Sequence, residues 1–380
     1  MRDLDQKEIF TGDFLCVYGD VVSNVPMEGA LAAHRARREK DKKAIMTMLL
    51  REGGEQNRTK AQNARPVFVV DPEHDRCLHY EQMRAEQRNP RLNLEPEILA
   101  EHTEVEVRQD LIDCGIDICT PAVLGQWSEG FDWETPRRGF LHGVLKDHEL
   151  NGLTIHTHII GDHYAARVQT LQSYDAVSKD VTSRWAYPLS PDSNLVSGQS
   201  YQLLKGNIYK EDGVVLARSS VIKGRSVLGK ATSVGDGAMI TNSVIGRRCV
   251  IGKRVKIDGA YIWDDARIED DATVERAIVA NEASIGRGCK VLPGALISYG
   301  VTLAENITVQ GTSKITRHKR KRGQEDGKLE EGPSDPKMVG QGGVGFELEM
   351  DDDDDDDEEQ SEGLLPTRSS KLSAFYKPDI

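Results

Sequence analysis

The chain has 380 residues, 38% of them hydrophobic, which is enough for two or three domains with cores of their own. Of the acids behind its net charge of −13, nine stand in one run, Asp351 through Glu359, so bulk charge gives no reason to expect DNA or other nucleic acid as a partner. No apolar run approaches the roughly 18 residues of a membrane helix, and the start "MRDLDQKEIF" is too polar for a signal peptide. Six cysteines without a CxxC pair fit a reduced, cytosolic compartment better than a disulfide framework or a zinc site.

Residues 1–190 read as strands alternating with helices, the pattern of a layered α/β domain. "DFLCVYGDVV" is a short apolar strand ending at Gly19-Asp20, where Asp20 reads as an acid closing a loop. "MEGALAAHRARREKD" is helical, and His34 to Arg38 form a basic patch suited to solvent or to an acidic partner surface. "AIMTMLL", "RPVFVVD", "IDICTPAVL" and "LTIHTHII" follow as apolar segments. In "WSEGFDWETP", Phe131 and Trp133 read as aromatics that anchor a loop. "TIHTHII" puts His156 and His158 on one strand face, with Asp162 and His163 beyond; a solvated face is expected there rather than a metal site.

A second pattern begins after a linker at 191–213. From Leu216 an aliphatic residue returns every sixth position: Ile222, Leu228, Val234, Ile240. The count drops to five at Ile245, resumes through Ile251 and Ile257, and drops again at Ile262 and at Val279. Leu303 and Val309 close the series. Six fits neither a helix nor a strand; it is the hexapeptide repeat of a parallel β-helix, with three short strands per coil and the fives as shortened corners. Each aliphatic residue is expected to point inward onto its equivalent one coil away, with glycine after it where the chain turns. Arg247, Arg248, Lys253 and Arg254 fall outside this ladder, where a partner would meet them. The β-helix is placed at 214–313. Many hexapeptide proteins are acyltransferases with a histidine base, and 214–313 contains no histidine. Resemblance to hexapeptide proteins also implies the left-handed form.

Residues 314–380 read as a disordered tail, basic at "RHKRKR" (Arg317 to Arg322) and then acidic. The acid run is expected to fold back on the basic one.

A strand ending in Gly-Asp, followed by a hexapeptide rod, resembles the sugar-nucleotide pyrophosphorylases. In that family the aspartate holds a magnesium ion, which makes Asp20 a vestigial candidate. The family's opening loop, G-x-G-T-R-L, has no counterpart here, so 1–190 is expected to be a partial, Rossmann-like nucleotidyltransferase domain. More specifically, "GDFLCVYGDVVSNVP", "LAAHRARREKDKKAIMTMLLRE", "VRQDLIDCGIDICTP" and "SYDAVSKDVTSRWAYPL" resemble the epsilon-subunit family of eukaryotic translation initiation factor 2B, as does the rod segment "NSVIGRRCVIG". The resemblance covers roughly residues 1–313 and implies a chain shortened at both ends. It implies a subunit that pairs with a gamma-type subunit and its siblings in an assembly that exchanges GDP for GTP on initiation factor 2. The family's helical catalytic domain has no counterpart, so assembly and docking are the expected roles, with no catalytic residue, cofactor or metal. The family motif Asn-Phe-Asp maps onto Gly130, Phe131 and Asp132, which are the expected partner-binding residues, with glycine in place of the amide. The alternative is a sugar-1-phosphate nucleotidyltransferase of the mannose-1-phosphate guanylyltransferase kind.

Overall fold

The computed structural model describes residues 2–7, 9–53, 59, 64–84, 91–130, 133–193, 198–320 and 329–348. It divides into two compact units.

The first unit is built on a seven-stranded mixed sheet. Its strands are β1 (Phe14–Val17), β2 (Ala44–Glu52), β3 (Ala64–Asp71), β4 (Arg76–Arg84), β5 (Glu106–Arg108), β6 (Leu111–Cys119) and β7 (Thr154–Ile160). They lie side by side in the order β1-β6-β2-β7-β4-β3-β5. Only β2 and β7 run parallel; the other neighbours are antiparallel. β2 lies inside the sheet, and its first seven residues are all buried. Both faces are covered, which is why "AIMTMLL" is an unbroken run rather than an alternation. Met46, Met48 and Leu50 belong to one core with Val123 and Trp127 of helix Pro121–Glu129, Phe140 and Leu141. Leu49 belongs to a second core with Ala30 of helix Glu28–Lys40 and with Ile116 and Ile118. This is the Rossmann-like α/β layering expected. The basic patch on helix Glu28–Lys40 is not all solvated: His34 is 1% exposed, and its Nδ1 lies 2.9 Å from Thr47 Oγ1.

The second unit is the rod. Three sheets of short parallel strands run along it. On one, Leu228, Ile245, Ile262, Val279, Ile297 and Ile315 stand in register. Val234, Ile251, Ile268, Ile285 and Leu303 line the second. Ile240, Ile257, Val274, Val291 and Val309 line the third. From Leu228 onward these side chains are at most 3% exposed, and each contributes roughly 1.5–3 kcal/mol of apolar burial. Coils are 17 residues long between Leu228 and Val279; the first coil is 18, and so are those beyond Val279, where the corner between Val291 and Ile297 regains its sixth residue.

The glycines serve a different purpose from the one expected. A Cβ on Gly252 would lie 2.6 Å from the backbone nitrogen of Asp270 in the next coil, and one on Gly246 would lie 2.7 Å from that of Asp264. They permit close stacking between coils. The sharp turn falls two residues after them, at positive φ, on Ala231 (60°), Gly237 (68°), Arg248 (57°), Arg254 (56°) and Gly288 (65°).

Two boundaries are corrected. Within the expected linker, Ile208–Lys210 is already a rod strand: it pairs with Val227-Leu228 and with Gln202–Leu204. Beyond 313, the expected tail begins as structure. Lys314–Thr316 continues the ladder, Phe346–Glu347 pairs onto it, and Val339 is fully buried against the end of the core. Apolar side chains at the last coil need a cover, and this segment supplies it. The acid run lies outside the described residues.

Two glycine exchanges should act with opposite signs. Gly252→Ala forces Cβ against the next coil and is expected to cost about 1–3 kcal/mol. Ala231→Gly relieves a left-handed turn and should stabilise by up to about 1 kcal/mol. Denaturant midpoints of the two variants check this.

Candidate functional site

Asp113 and Asp117 lie four residues apart on β6 and therefore on the same face. Gly115 between them takes φ +65°. Arg137, from the helical turn Pro136–Leu141, donates to both acids. Its Nε and Nη2 reach Asp113 at 2.8 Å each, and its Nη1 and Nη2 reach Asp117 at 2.9 Å each. Arg167, on the short strand Ala165–Arg167, donates to both oxygens of Asp20 at 3.0–3.2 Å and lies 3.6 Å from Asp113. The Tyr18 ring sits against both guanidiniums, 4.5 Å from Arg167 and 5.5 Å from Arg137. Burial pushes the Asp113 carboxyl up, but Arg137 and Arg167 outweigh it and hold it below the usual range. For Asp117 burial prevails over Arg137, and its carboxyl is raised.

This centre answers the question about Asp20. Its carboxylate is held by Arg167, and a divalent ion would have to displace the guanidinium. The residues present do not fit a magnesium site. Among the described residues, no group of three or more His, Cys, Asp or Glu side chains is placed to hold a metal ion. Sequence reading missed the arginines. The available signal was two acids inside the apolar run "DLIDCGIDIC", since a buried charge requires a partner.

The partner-binding candidates lie on the opposite side of helix Pro121–Glu129 from its start. Gly130 ends this helix, donating its N–H to Gln126 and accepting from Arg2 Nη2 at 2.7 Å. Phe131 and Asp132 lie outside the described residues. Trp133 folds back over Gly130, and a Cβ at position 130 would lie 2.3 Å from its ring. Trp133 is edge-on to Phe140, which stacks on Trp127 at 5.3 Å. Trp133 thus anchors the loop, and it leaves no room for the asparagine of the family motif. Beside them opens a cleft of about 520 Å³ lined by Gln126, Glu129, Gly130, Trp133, Asp147, Leu150 and Asn151. Leu150 is 90% exposed.

The other candidates are accounted for locally. His156 is not simply solvated: its Nδ1 lies 3.1 Å from the His74 carbonyl and its Nε2 3.2 Å from Thr154 Oγ1. Arg247 donates to Glu211, whose side chain is fully buried, at 2.8–3.0 Å. Arg248 and Arg254 pair with Asp265 and Asp271 one coil on, at 2.6 Å each. These arginines are therefore engaged within the rod. Arg317 pairs with Glu331, and His318–Arg320 pairs with Leu329–Glu331; residues 321 and 322 lie outside the described residues.

A Rossmann-like α/β domain with an arginine-neutralised acidic centre, joined in one chain to a hexapeptide-repeat β-helix, is the class of protein that the fold and the site define. A model of the eIF2B subunit epsilon LbH domain, the left-handed β-helix, matches residues 205–309. The translation initiation factor eIF2B subunit epsilon of Schizosaccharomyces pombe is 45% identical over 368 residues, 96% of this chain and 52% of the relative. The subunit of the same name from Dictyostelium discoideum is 34% identical over 229 residues, 60% of this chain and 32% of the relative. The chain belongs to the eIF2B subunit epsilon family. It spans about half the length of the first of these relatives and about a third of the second.

Removing the shared guanidinium should be costly. Arg137→Ala leaves two buried carboxylates uncompensated and is expected to lose about 3–5 kcal/mol of unfolding free energy in chemical denaturation. Arg137→Lys should fall between, since an ammonium cannot bridge both acids bidentately. A second expectation concerns pH. Burial, aided by Arg37, lowers His156 to about 4 from an ordinary 6.5. The fold binds fewer protons than the unfolded chain between these values, so stability is full above about pH 6.5 and is lost as pH falls toward 4. His156→Gln should flatten that acid-side decline in thermal melts recorded across the window.

Proposed function

We propose that this chain works as an epsilon-type subunit of the translation initiation factor 2B assembly in the cytosol, contributing to GDP/GTP exchange on initiation factor 2 through assembly and docking. The observation that carries this reading is the cleft beside Gly130. It lies at the position that corresponds to the family's Asn-Phe-Asp motif, and it combines the Trp133 ring, an almost fully exposed Leu150, and the carboxylates of Glu129 and Asp147. An exposed aliphatic residue beside an anchored aromatic ring is the composition of a protein-docking point rather than of a small-molecule pocket. Gly130, Phe131 and Asp132 are the proposed partner-contacting residues. With glycine at 130, the Trp133 ring stands where the family motif would present an amide side chain.

The rod and the α/β unit are the proposed surfaces for a gamma-type subunit and its siblings. Family membership supports this. The competing nucleotidyltransferase reading has less support, because Arg167 occupies the carboxylate that would hold the catalytic magnesium. No helix among the described residues is long and apolar enough to cross a membrane, so a membrane role has no support from helices.

The test is co-purification with a gamma-type subunit, followed by titration with initiation factor 2. Leu150→Glu changes a side chain that is 90% exposed and should leave folding and gamma pairing intact. It is expected to weaken initiation factor 2 binding by roughly tenfold. Failure of the unaltered chain to bind either partner, or formation of a nucleoside-diphosphate sugar by the purified chain, overturns the proposal.

A further inference from the structure

Helix Pro121–Glu129 is closed by a side chain from far along the chain. A glycine after a helix commonly closes it by turning left-handed, but Gly130 keeps φ −84° and ψ 89°. The carbonyls left over at the helix end therefore need donors from elsewhere. Arg2 supplies them. Its Nε donates to the Trp127 carbonyl at 3.1 Å, and its Nη2 to that of Gly130 at 2.7 Å. The Gly130 carbonyl also accepts from the N–H of Trp133 at 3.3 Å. Arg2 opens a short helix, Arg2–Gln6, whose Asp5 accepts from the Ser128 hydroxyl at 2.6 Å. A cation at the carbonyl end of a helix is favoured by the helix dipole as well.

This clamp stands behind the docking cleft, whose lining includes Gly130 and Trp133 but neither Arg2 nor Asp5. Trp133 is accommodated from the other side. A Cβ on Gly139 would lie 2.9 Å from its Cα, and one on Gly143 would lie 2.5 Å from its indole nitrogen, so both glycines make room for it. Thr135 then starts the next helical turn by accepting from the Gly139 N–H at 3.2 Å. The segment that joins the helix to this turn is thus fixed at both ends, by Arg2 and by Thr135.

We infer that Arg2 is a positioning residue for docking: it sets where residues 130–133 leave the helix, and Asp5 with Ser128 holds it in place. The inference rests on the reading of the cleft as the docking point for initiation factor 2, and it adds the part that aims the cleft's loop. Arg2 acts through two backbone carbonyls rather than by touching the partner. Its planar fork meets both carbonyls at once, which an ammonium does less well and alanine not at all.

Two readouts test this on the full chain. The first is affinity for initiation factor 2, measured alongside pairing with a gamma-type subunit. Arg2→Ala is expected to weaken the former by roughly tenfold and to leave the latter unchanged, with Arg2→Lys in between. Ser128→Ala, which releases Asp5, should act in the same direction by roughly threefold. The second is the fluorine NMR spectrum of the chain labelled with fluorotryptophan, the Trp133 signal being assigned with Trp133→Phe. Arg2→Ala should shift the Trp133 signal and leave those of Trp185 and Trp263 in place. An unmoved Trp133 signal overturns the inference, as does a moved signal with unchanged affinity for initiation factor 2. Loss of both partners together with a lower melting temperature reduces Arg2 to a stabilising residue and overturns it too. If the unaltered chain does not bind initiation factor 2, the docking reading fails on its own, and the Trp133 signal still supports or overturns the clamp.

Discussion

Everything in the rod depends on how closely one coil sits on the next. Parallel strands in a sheet lie about 4.8 Å apart, so every side chain of one coil must fit over its equivalent in the coil before. From Leu228 onward, inward positions meet this with aliphatic residues that are almost fully buried. At Gly246 and Gly252 the following chain passes so near that only hydrogen fits. The same closeness lets Asp264 and Asp270 of the following coil accept the N–H groups of Arg247 and Lys253, at 2.8 and 2.7 Å. It also brings Arg248 to Asp265 and Arg254 to Asp271, so charge that would otherwise face a partner is spent between coils.

The α/β unit shows a related economy. A sheet buried on both faces offers no water to a charged group, yet β6 carries two aspartates inward. Arg137 makes that tolerable by giving both of them two hydrogen bonds. With Arg167 on Asp20, the acids that could have gathered a metal are instead bound to cations from the same chain. An acidic centre neutralised in this way holds the fold. A structural centre of this kind suits a protein of the eIF2B epsilon family used for assembly and docking, as proposed.

The Trp133 loop shows how one substitution and one packing choice belong together. Glycine at 130 looks like the loss of an amide when set against the family motif. In the structure it is also the condition for the indole to lie across the backbone and reach Phe140. Reading position 130 alone gives half of this account, because the other half comes from a ring three residues away.

The period of six, its slips to five and the apolar run of β2 were legible in the sequence, since each follows from local geometry. Side-chain periodicity reports which residues face inward, and an unbroken apolar run reports burial on two faces. What stayed hidden depended on meetings between distant segments. Nothing in "TPRRGF" distinguishes Arg137 from Arg138, and only the fold delivers one of them to Asp113 and Asp117. The polar, glycine-rich composition after Lys314 suggests disorder, yet Val339 finds an open coil end to cover. Glycine after an aliphatic residue, as at Gly246 and Gly252, suggests a turn, yet the close approach of the next coil is what requires it there. By itself the sequence determined the rod, its register and the layered α/β class, because these repeat a local rule. Tertiary structure alone decided which charges are neutralised and which end of the rod Val339 closes, because those depend on what the chain brings together across many residues.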